Sequence, residues 1–181
     1  DGIEYAEIVR GTEKEPIRAN LLRLDLTKVR LDVVHATDAA IGVEKTSSMA
    51  TGHGAFAAIN AGFFRLDTSI FAGDSEGVLQ IDGKLLSESQ NNRTALLIKN
   101  EFNSTKIAIQ KLKSEIILEY KKSFISATGI NRQRKEEDFI IYTPFFNRTT
   151  LTDNNGIEAI IRKNRIVQIY KEKGSNLIPS D

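Results

Sequence analysis

Alternation between apolar and polar residues is the dominant pattern along the chain. Leu22, Leu24 and Leu26 share one side of an extended segment, and Arg23 and Asp25 occupy the other. The same period of two recurs at 29–35 and 106–110. Because successive side chains of a strand point to opposite faces, this pattern predicts strands with one solvent-exposed face, roughly ten in all.

Two-residue turns predict where these strands reverse. Asp82-Gly83 lies between "VLQI" and "KLLS", and Lys163-Asn164 lies between "IEAIIR" and "RIVQIY". Asp-Gly is a preferred turn of tight hairpins, and Lys-Asn is a weaker version of it. A short helix is predicted over 42–52, where Gly52 is placed to end it. We therefore predict an α+β chain, rich in strands, with a mostly antiparallel twisted sheet and one or two short helices.

Composition limits the class of protein further. The chain has 181 residues, of which 40% are hydrophobic and 27% are charged, as expected for one globular domain or part of one. A net charge of +1 argues against a dedicated nucleic-acid binder. The lack of cysteine excludes disulfides and thiolate chemistry. No apolar run approaches the roughly 18 residues of a membrane-spanning helix.

The stretch "GAFAAINAGFF", at 54–64, carries the most informative chemistry. An apolar run over 55–59 predicts a buried strand that reaches the surface at Asn60. The Asn60 amide offers two donors and an acceptor, Gly62 permits close approach of a ligand, and Phe63 or Phe64 could form a pocket wall. A structural interpretation is also open, in which a buried asparagine satisfies a turn beside two core rings.

The segment "AAINAGFF" resembles a motif of the phosphodiester glycosidase family, which includes N-acetylglucosamine-1-phosphodiester alpha-N-acetylglucosaminidase and exopolysaccharide-related bacterial proteins. Other segments resemble the family in the same order, namely "TSSMATGHGAFAAIN", "GVLQIDGKLLS", "GINRQRKEEDFIIYTPFF" and "GIEAIIRKNRIVQI". Ala61 departs from the family's usual glycine, and the family's Asp-Gly-Gly-Gly-Ser loop is not found. The resemblance implies that 1–181 is the N-terminal portion of a single domain that continues beyond the chain end.

The resemblance also implies an activity and a site. The expected reaction is hydrolysis of a sugar-1-phosphodiester of the N-acetylglucosamine type, in exported or surface glycan, at the sugar–oxygen bond. Asn60 is the expected catalytic residue. Asp67 or Asp74 could supply a carboxylate. The expected substrate-binding residues are Gly62, Phe63, Phe64, Arg93, Arg132 and His53. Each of these arginines and acids is also a common surface residue, so the structural interpretation stays open for them.

No cofactor or metal is expected, because the sequence has no phosphate-binding loop, dinucleotide motif or metal-ligand spacing; a calcium ion held by loop oxygens stays open. The expected partners are a carbohydrate or glycan phosphodiester and either a complementary C-terminal fragment or a second copy, with no nucleic acid and no membrane span. The resemblance implies an extracytoplasmic location. The alternative function is a non-catalytic carbohydrate-binding or structural module, so whether the chain is an enzyme is left open.

Overall fold

The computed structural model of the chain describes residues 2–180, in which the strands form six separate two-stranded sheets. A single α-helix, α1 (Thr46–Gly52), is assigned in these residues, together with a 3-10 turn at Ala36–Asp38. The strand pairs are β1 (Ile3–Gly11) with β2 (Pro16–Leu24), β3 (Leu79–Ile81) with β4 (Lys84–Ser87), β5 (Thr94–Glu101) with β6 (Ser104–Lys111), β7 (Ile117–Tyr120) with β8 (Ser123–Ser126), β9 (Gly129–Ile130) with β10 (Ile140–Ile141), and β11 (Ile157–Arg162) with β12 (Arg165–Lys171).

The predicted α+β fold with one twisted sheet is wrong. The chain is mostly β, and each of the longer strands pairs with its neighbour in sequence; β1 and β2, for example, pair from Ile3 opposite Leu24 to Gly11 opposite Pro16. The short β9 and β10 are the exception in direction, because they run parallel. Alternation identifies a strand and its two faces, but it does not identify partners beyond the hairpin. Within the described chain, no helix is long and apolar enough to cross a membrane.

Both predicted hairpin turns are confirmed. Asp82 and Gly83 have φ values of 50° and 77°, and Lys163 and Asn164 have φ values of 47° and 60°. Two consecutive positive φ values define the turn whose twist matches that of antiparallel strands. The turn residues therefore determine the register of β3 with β4 and of β11 with β12 at the turn.

The chain divides into two compact units. One unit comprises the chain up to Val33 together with Thr94–Gln110, and the other comprises Val34–Arg93 together with the chain from Lys111 onward. In the first unit, the Thr105 amide donates to the Leu26 carbonyl at 2.7 Å. The expectation that 1–181 belongs to one longer domain stays a prediction.

The hydrophobic core of the second unit is centred on Phe146, which is completely buried. Its ring centroid lies 4.9 Å from that of Tyr142 and 6.4 Å from that of Phe71. The other buried members of this cluster are Ala40, Ile41 and Leu86. The core thus joins the segment before α1 to β4 and to the loop around Phe71.

Gly73 fixes how that loop packs. Its amide donates to the Arg65 carbonyl at 2.8 Å, and its own carbonyl lies 2.9 Å from Nε2 of His35. Its φ is +88°, and a Cβ at this position would overlap the carbonyl group of Gly42. Only glycine meets both requirements without moving the backbone.

We predict that Gly73→Ala lowers the free energy of unfolding by roughly 2–4 kcal/mol, because the substitution adds backbone strain and a steric overlap. Urea denaturation followed by circular dichroism measures the change. Gly62→Ala is the matched control, since no atom lies within 4 Å of a Cβ built there. The control should shift stability by less than about 1 kcal/mol. Equal stability of both variants would contradict the packing described for Gly73.

Candidate functional site

The 54–64 segment is exposed, which corrects the prediction of a buried strand over 55–59. Phe56 is 97% exposed and Ile59 is 78% exposed, and neither belongs to a strand. An apolar run is buried only when another surface covers it, and no strand in the described residues pairs with 55–60. The motif therefore presents its side chains outward.

Asn60 is exposed and is held by a side chain. Its Oδ1 accepts a 2.6 Å hydrogen bond from the hydroxyl of Thr46, the first residue of α1. Its Nδ2 has no hydrogen-bond partner among residues 2–180. The interpretation of a buried asparagine satisfying a turn does not hold, because Asn60 is exposed. Its amide keeps two donors free for solvent or a ligand.

The end of the motif pairs with the loop that follows it. The Glu76 amide donates to the Phe63 carbonyl at 2.9 Å, the Arg65 amide donates to the Asp74 carbonyl at 2.8 Å, and Phe64 and Ser75 form an antiparallel bridge. Side chains alternate between the two sides of such a ladder. Phe63, Arg65, Asp74 and Glu76 therefore lie on one side, which we call the ladder face.

Arg93 joins the ladder face beside Phe63. Its guanidinium carbon lies 5.5 Å from the centre of the Phe63 ring, and Nη1 donates to the Glu76 carbonyl at 3.0 Å. Nη2 lies 3.6 Å from the Glu76 carboxylate. Of the five N–H donors of arginine, one makes a hydrogen bond to the described residues. Arg93 can therefore bind an anion without breaking its packing on Phe63.

Arg132 is fully occupied by the protein. Nε donates to Glu88 at 2.6 Å, Nη1 donates to Asp138 and to the Gln133 carbonyl, and Nη2 donates to Asp138 and to the Thr128 carbonyl. These bonds use all five N–H donors. Arg132 thus organises the surrounding loops, and direct contact with a substrate would require one of these bonds to break.

The carboxyl groups of this region differ in their affinity for protons. The hydrogen bond from Arg132 holds the pKa of Asp138 at about 2. Hydrogen bonds from Ser69 and Arg65 likewise hold the pKa of Asp67 at about 2. Burial, followed by repulsion from Glu88, raises the pKa of Asp74 to about 6. Of the two acids proposed from the sequence, Asp74 is therefore the one that can exchange a proton near neutral pH.

His53 lies apart from Asn60 along α1. It directly follows Gly52, the last residue of the helix, and its Nε2 lies 3.5 Å from the Asp38 carboxylate. It lines a cavity of about 220 Å³ together with His35. Asn60 contacts the opposite end of this helix, which is about 10 Å long. The structure brings Phe63 and Arg93 together, places the Phe64 side chain on the other side of the ladder, and places His53 in separate surroundings.

Sequence reasoning did not identify Arg65, Glu76 or Glu88 as part of this region. Glu88 directly follows the buried end of β4, at Ser87, and an acid in that position is a weak indication of a buried ion pair. Arg65 and Glu76 gave no indication, because their role depends on the ladder. Among the described residues, no group of three or more metal-ligating side chains could hold an ion.

Comparison with known proteins gives a structural neighbour. Neither a family model nor a curated protein matches the sequence. The crystal structure of a hypothetical protein from Synechocystis resembles the chain with a TM-score of 0.76 and 21% sequence identity. The match covers 99% of this chain and 34% of that chain. The likeness shows the fold alone, and the chain spans about a third of the length of its neighbour.

We predict that Asp74→Asn is more thermostable than the wild type at pH 7, and that the difference shrinks toward pH 4. The folded state binds the proton of Asp74 up to about pH 6, whereas the unfolded state releases it near 3.8. Wild-type stability therefore falls as pH rises from about 4 to about 6. The asparagine side chain does not titrate, so the variant does not lose stability in this way. Melting temperatures across this range test the prediction, with Asp82→Asn as the control. A difference that is independent of pH would contradict it.

Proposed function

We propose that this chain forms part of a phosphodiester glycosidase-like hydrolase. Its substrate would be a sugar-1-phosphodiester of the N-acetylglucosamine type, in exported or surface glycan, which agrees with an extracytoplasmic location. The observation that carries the proposal is the ladder face. It places an exposed aromatic ring, Phe63, and an arginine with unused donors, Arg93, on the same side as Asp74, whose pKa is raised by burial to about 6.

Each side chain has a proposed role in binding the diester. The free donors of Asn60 would hydrogen-bond the sugar or the phosphoryl oxygens, and Arg93 would neutralise the phosphoryl charge. Phe63 would contact the apolar side of the sugar ring. Phe64 lies on the other side of the ladder and stays a predicted substrate contact. Space next to Gly62, where a Cβ would meet no atom within 4 Å, would let the substrate approach the backbone. His53 and Arg132 stay predicted substrate contacts.

A non-catalytic carbohydrate-binding module is the second candidate. The exposure of Phe56, at 97%, and Phe63, at 77%, favours it, because exposed aromatic rings provide flat apolar surfaces for a sugar. Such a module would bind glycan without turnover. A measurement that separates binding from bond cleavage therefore distinguishes the two candidates.

The proposed partner of the exposed motif is a complementary C-terminal fragment or a second copy of the chain. The exposure of Ile59, at 78%, and of Leu66, at 81%, supports this proposal. Burial of apolar side chains of this size under another surface lowers the free energy, because it removes them from water. Light scattering of the purified chain would show whether it is a dimer.

We predict that Asn60→Ala lowers the turnover of a sugar-1-phosphodiester by at least tenfold. The substitution removes donors that would hold the substrate in its reactive position, and one lost hydrogen bond to a charged group costs about 1.5–3 kcal/mol. The assay follows release of free sugar from UDP-linked N-acetylglucosamine. Asn103→Ala, in the exposed turn between β5 and β6, is the matched control and should keep full activity.

Two outcomes would count against the assignment. Full turnover by Asn60→Ala would remove this amide from the mechanism and leave the hydrolase proposal standing. Sugar binding by the wild type without any turnover would instead favour the carbohydrate-binding module.

A further inference from the structure

We propose that Asp74 is the general base of the hydrolysis, and that the ladder face positions it to activate the attacking water. This inference rests on the proposed function. The backbone carbonyl of Asp74 accepts a hydrogen bond from the Arg65 amide at 2.8 Å, and the Asp74 amide donates to the Phe71 carbonyl at 3.2 Å. The backbone of Asp74 is therefore held on both sides, directly opposite Arg65, the residue that follows the motif.

The carboxyl group of Asp74 differs from its neighbours in having neither a hydrogen bond nor an ion pair in the described part of the chain. The two oxygens of Glu88 accept from Arg132 and from the Ile130 amide, at 2.6 and 3.1 Å. Asp67 accepts from Arg65 and Ser69, and Glu76 faces Arg93. The Glu76 carboxylate accepts no hydrogen bond from residues 2–180 either, but it faces the Arg93 guanidinium at 3.6 Å. Asp74 has no such cation paired with it among the described residues, so its oxygens are available to a water molecule.

The charges around Asp74 come from four side chains. Burial has the largest effect on the pKa of Asp74 and raises it. Glu88 and Glu76 raise this pKa further, whereas Arg132 and Arg65 lower it. The result, about 6 in place of 3.8, makes the carboxylate about a hundredfold more basic than an ordinary aspartate. At pH 7 it is still mostly ionised, as a general base must be.

The reaction then needs one proton transfer and one displacement. Water attacks the anomeric carbon while the Asp74 carboxylate takes one of its protons. The bond between the anomeric carbon and oxygen breaks, and the phosphomonoester leaves with the bonding electron pair. The oxygen of the water stays on the sugar as its hydroxyl, and Asp74 later returns the proton to solvent. A phosphoryl leaving group is already acidic, so a second carboxyl group is not needed to protonate it.

The test compares Asp74→Asn with the wild type in the UDP-linked N-acetylglucosamine assay, from pH 4.5 to 8. Wild-type kcat should rise through about pH 6 and then level off. The variant should lose at least about 100-fold in kcat with little change in KM, and its residual rate should not follow that profile. Asp82→Asn, in the turn between β3 and β4, makes the same chemical change and should behave as the wild type.

Chemical rescue separates a base from a structural role. Added formate should restore part of the turnover of Asp74→Ala, because the small carboxylate can occupy the vacated space and accept the proton. Turnover by Asp74→Asn at the wild-type rate, or an unchanged pH profile, would overturn the role of Asp74 and leave the hydrolase intact. Complete inactivity of the wild type would overturn the proposed function and this inference together.

Discussion

The pairing of Phe63–Arg65 with Gly73–Glu76 is the interaction on which the candidate site depends. Three backbone hydrogen bonds, from the amides of Arg65, Gly73 and Glu76, close this short ladder. Without these bonds, the end of the motif would be an exposed apolar segment whose side chains have no fixed orientation. With them, alternation across the ladder determines which side chains face one another. The chemistry of the region is thus set by main-chain bonding.

The second constraint is the burial of charged side chains near Asp74. Arg132 joins Glu88 to Asp138, and all three side chains are less than one-fifth exposed. A Cβ on Gly129 would overlap Arg132, so glycine at this position makes room for the ion pairs. A buried charge network of this kind is stable only when every member is paired. Two members of this network act on the pKa of Asp74: Glu88 raises it and Arg132 lowers it.

Local features were predictable from the sequence, and their assembly was not. The turns at Asp82-Gly83 and Lys163-Asn164 follow from backbone preferences of two residues, so the hairpins could be located. The short helix ending at Gly52 lies within the predicted range. The sequence could not show whether the hairpins join into a single sheet, because pairing between hairpins depends on contacts distant in sequence. The prediction that 55–59 is buried was wrong for the same reason, because hydrophobicity does not specify what covers a segment.

The site residues show the same division. Phe63, Phe64 and Arg93 could be selected by type and motif, but only Phe63 and Arg93 share one side of the ladder. The sequence named Arg132 as an anion contact, yet its five bonds to protein groups are a property of packing that spacing does not encode. The sequence also did not distinguish Asp67 from Asp74 as the candidate carboxylate. They differ because one accepts hydrogen bonds and the other is half-buried without them.

The most direct measurement of the central claim is a proton–proton distance across the ladder by solution NMR. Phe64 and Ser75 are a non-hydrogen-bonded pair, flanked by the bonds from Arg65 to Asp74 and from Glu76 to Phe63. Their Hα atoms should therefore give a strong nuclear Overhauser effect. If that effect is missing, and the amides of Arg65 and Glu76 exchange with solvent as fast as in an unfolded chain, the ladder and the face built on it do not exist.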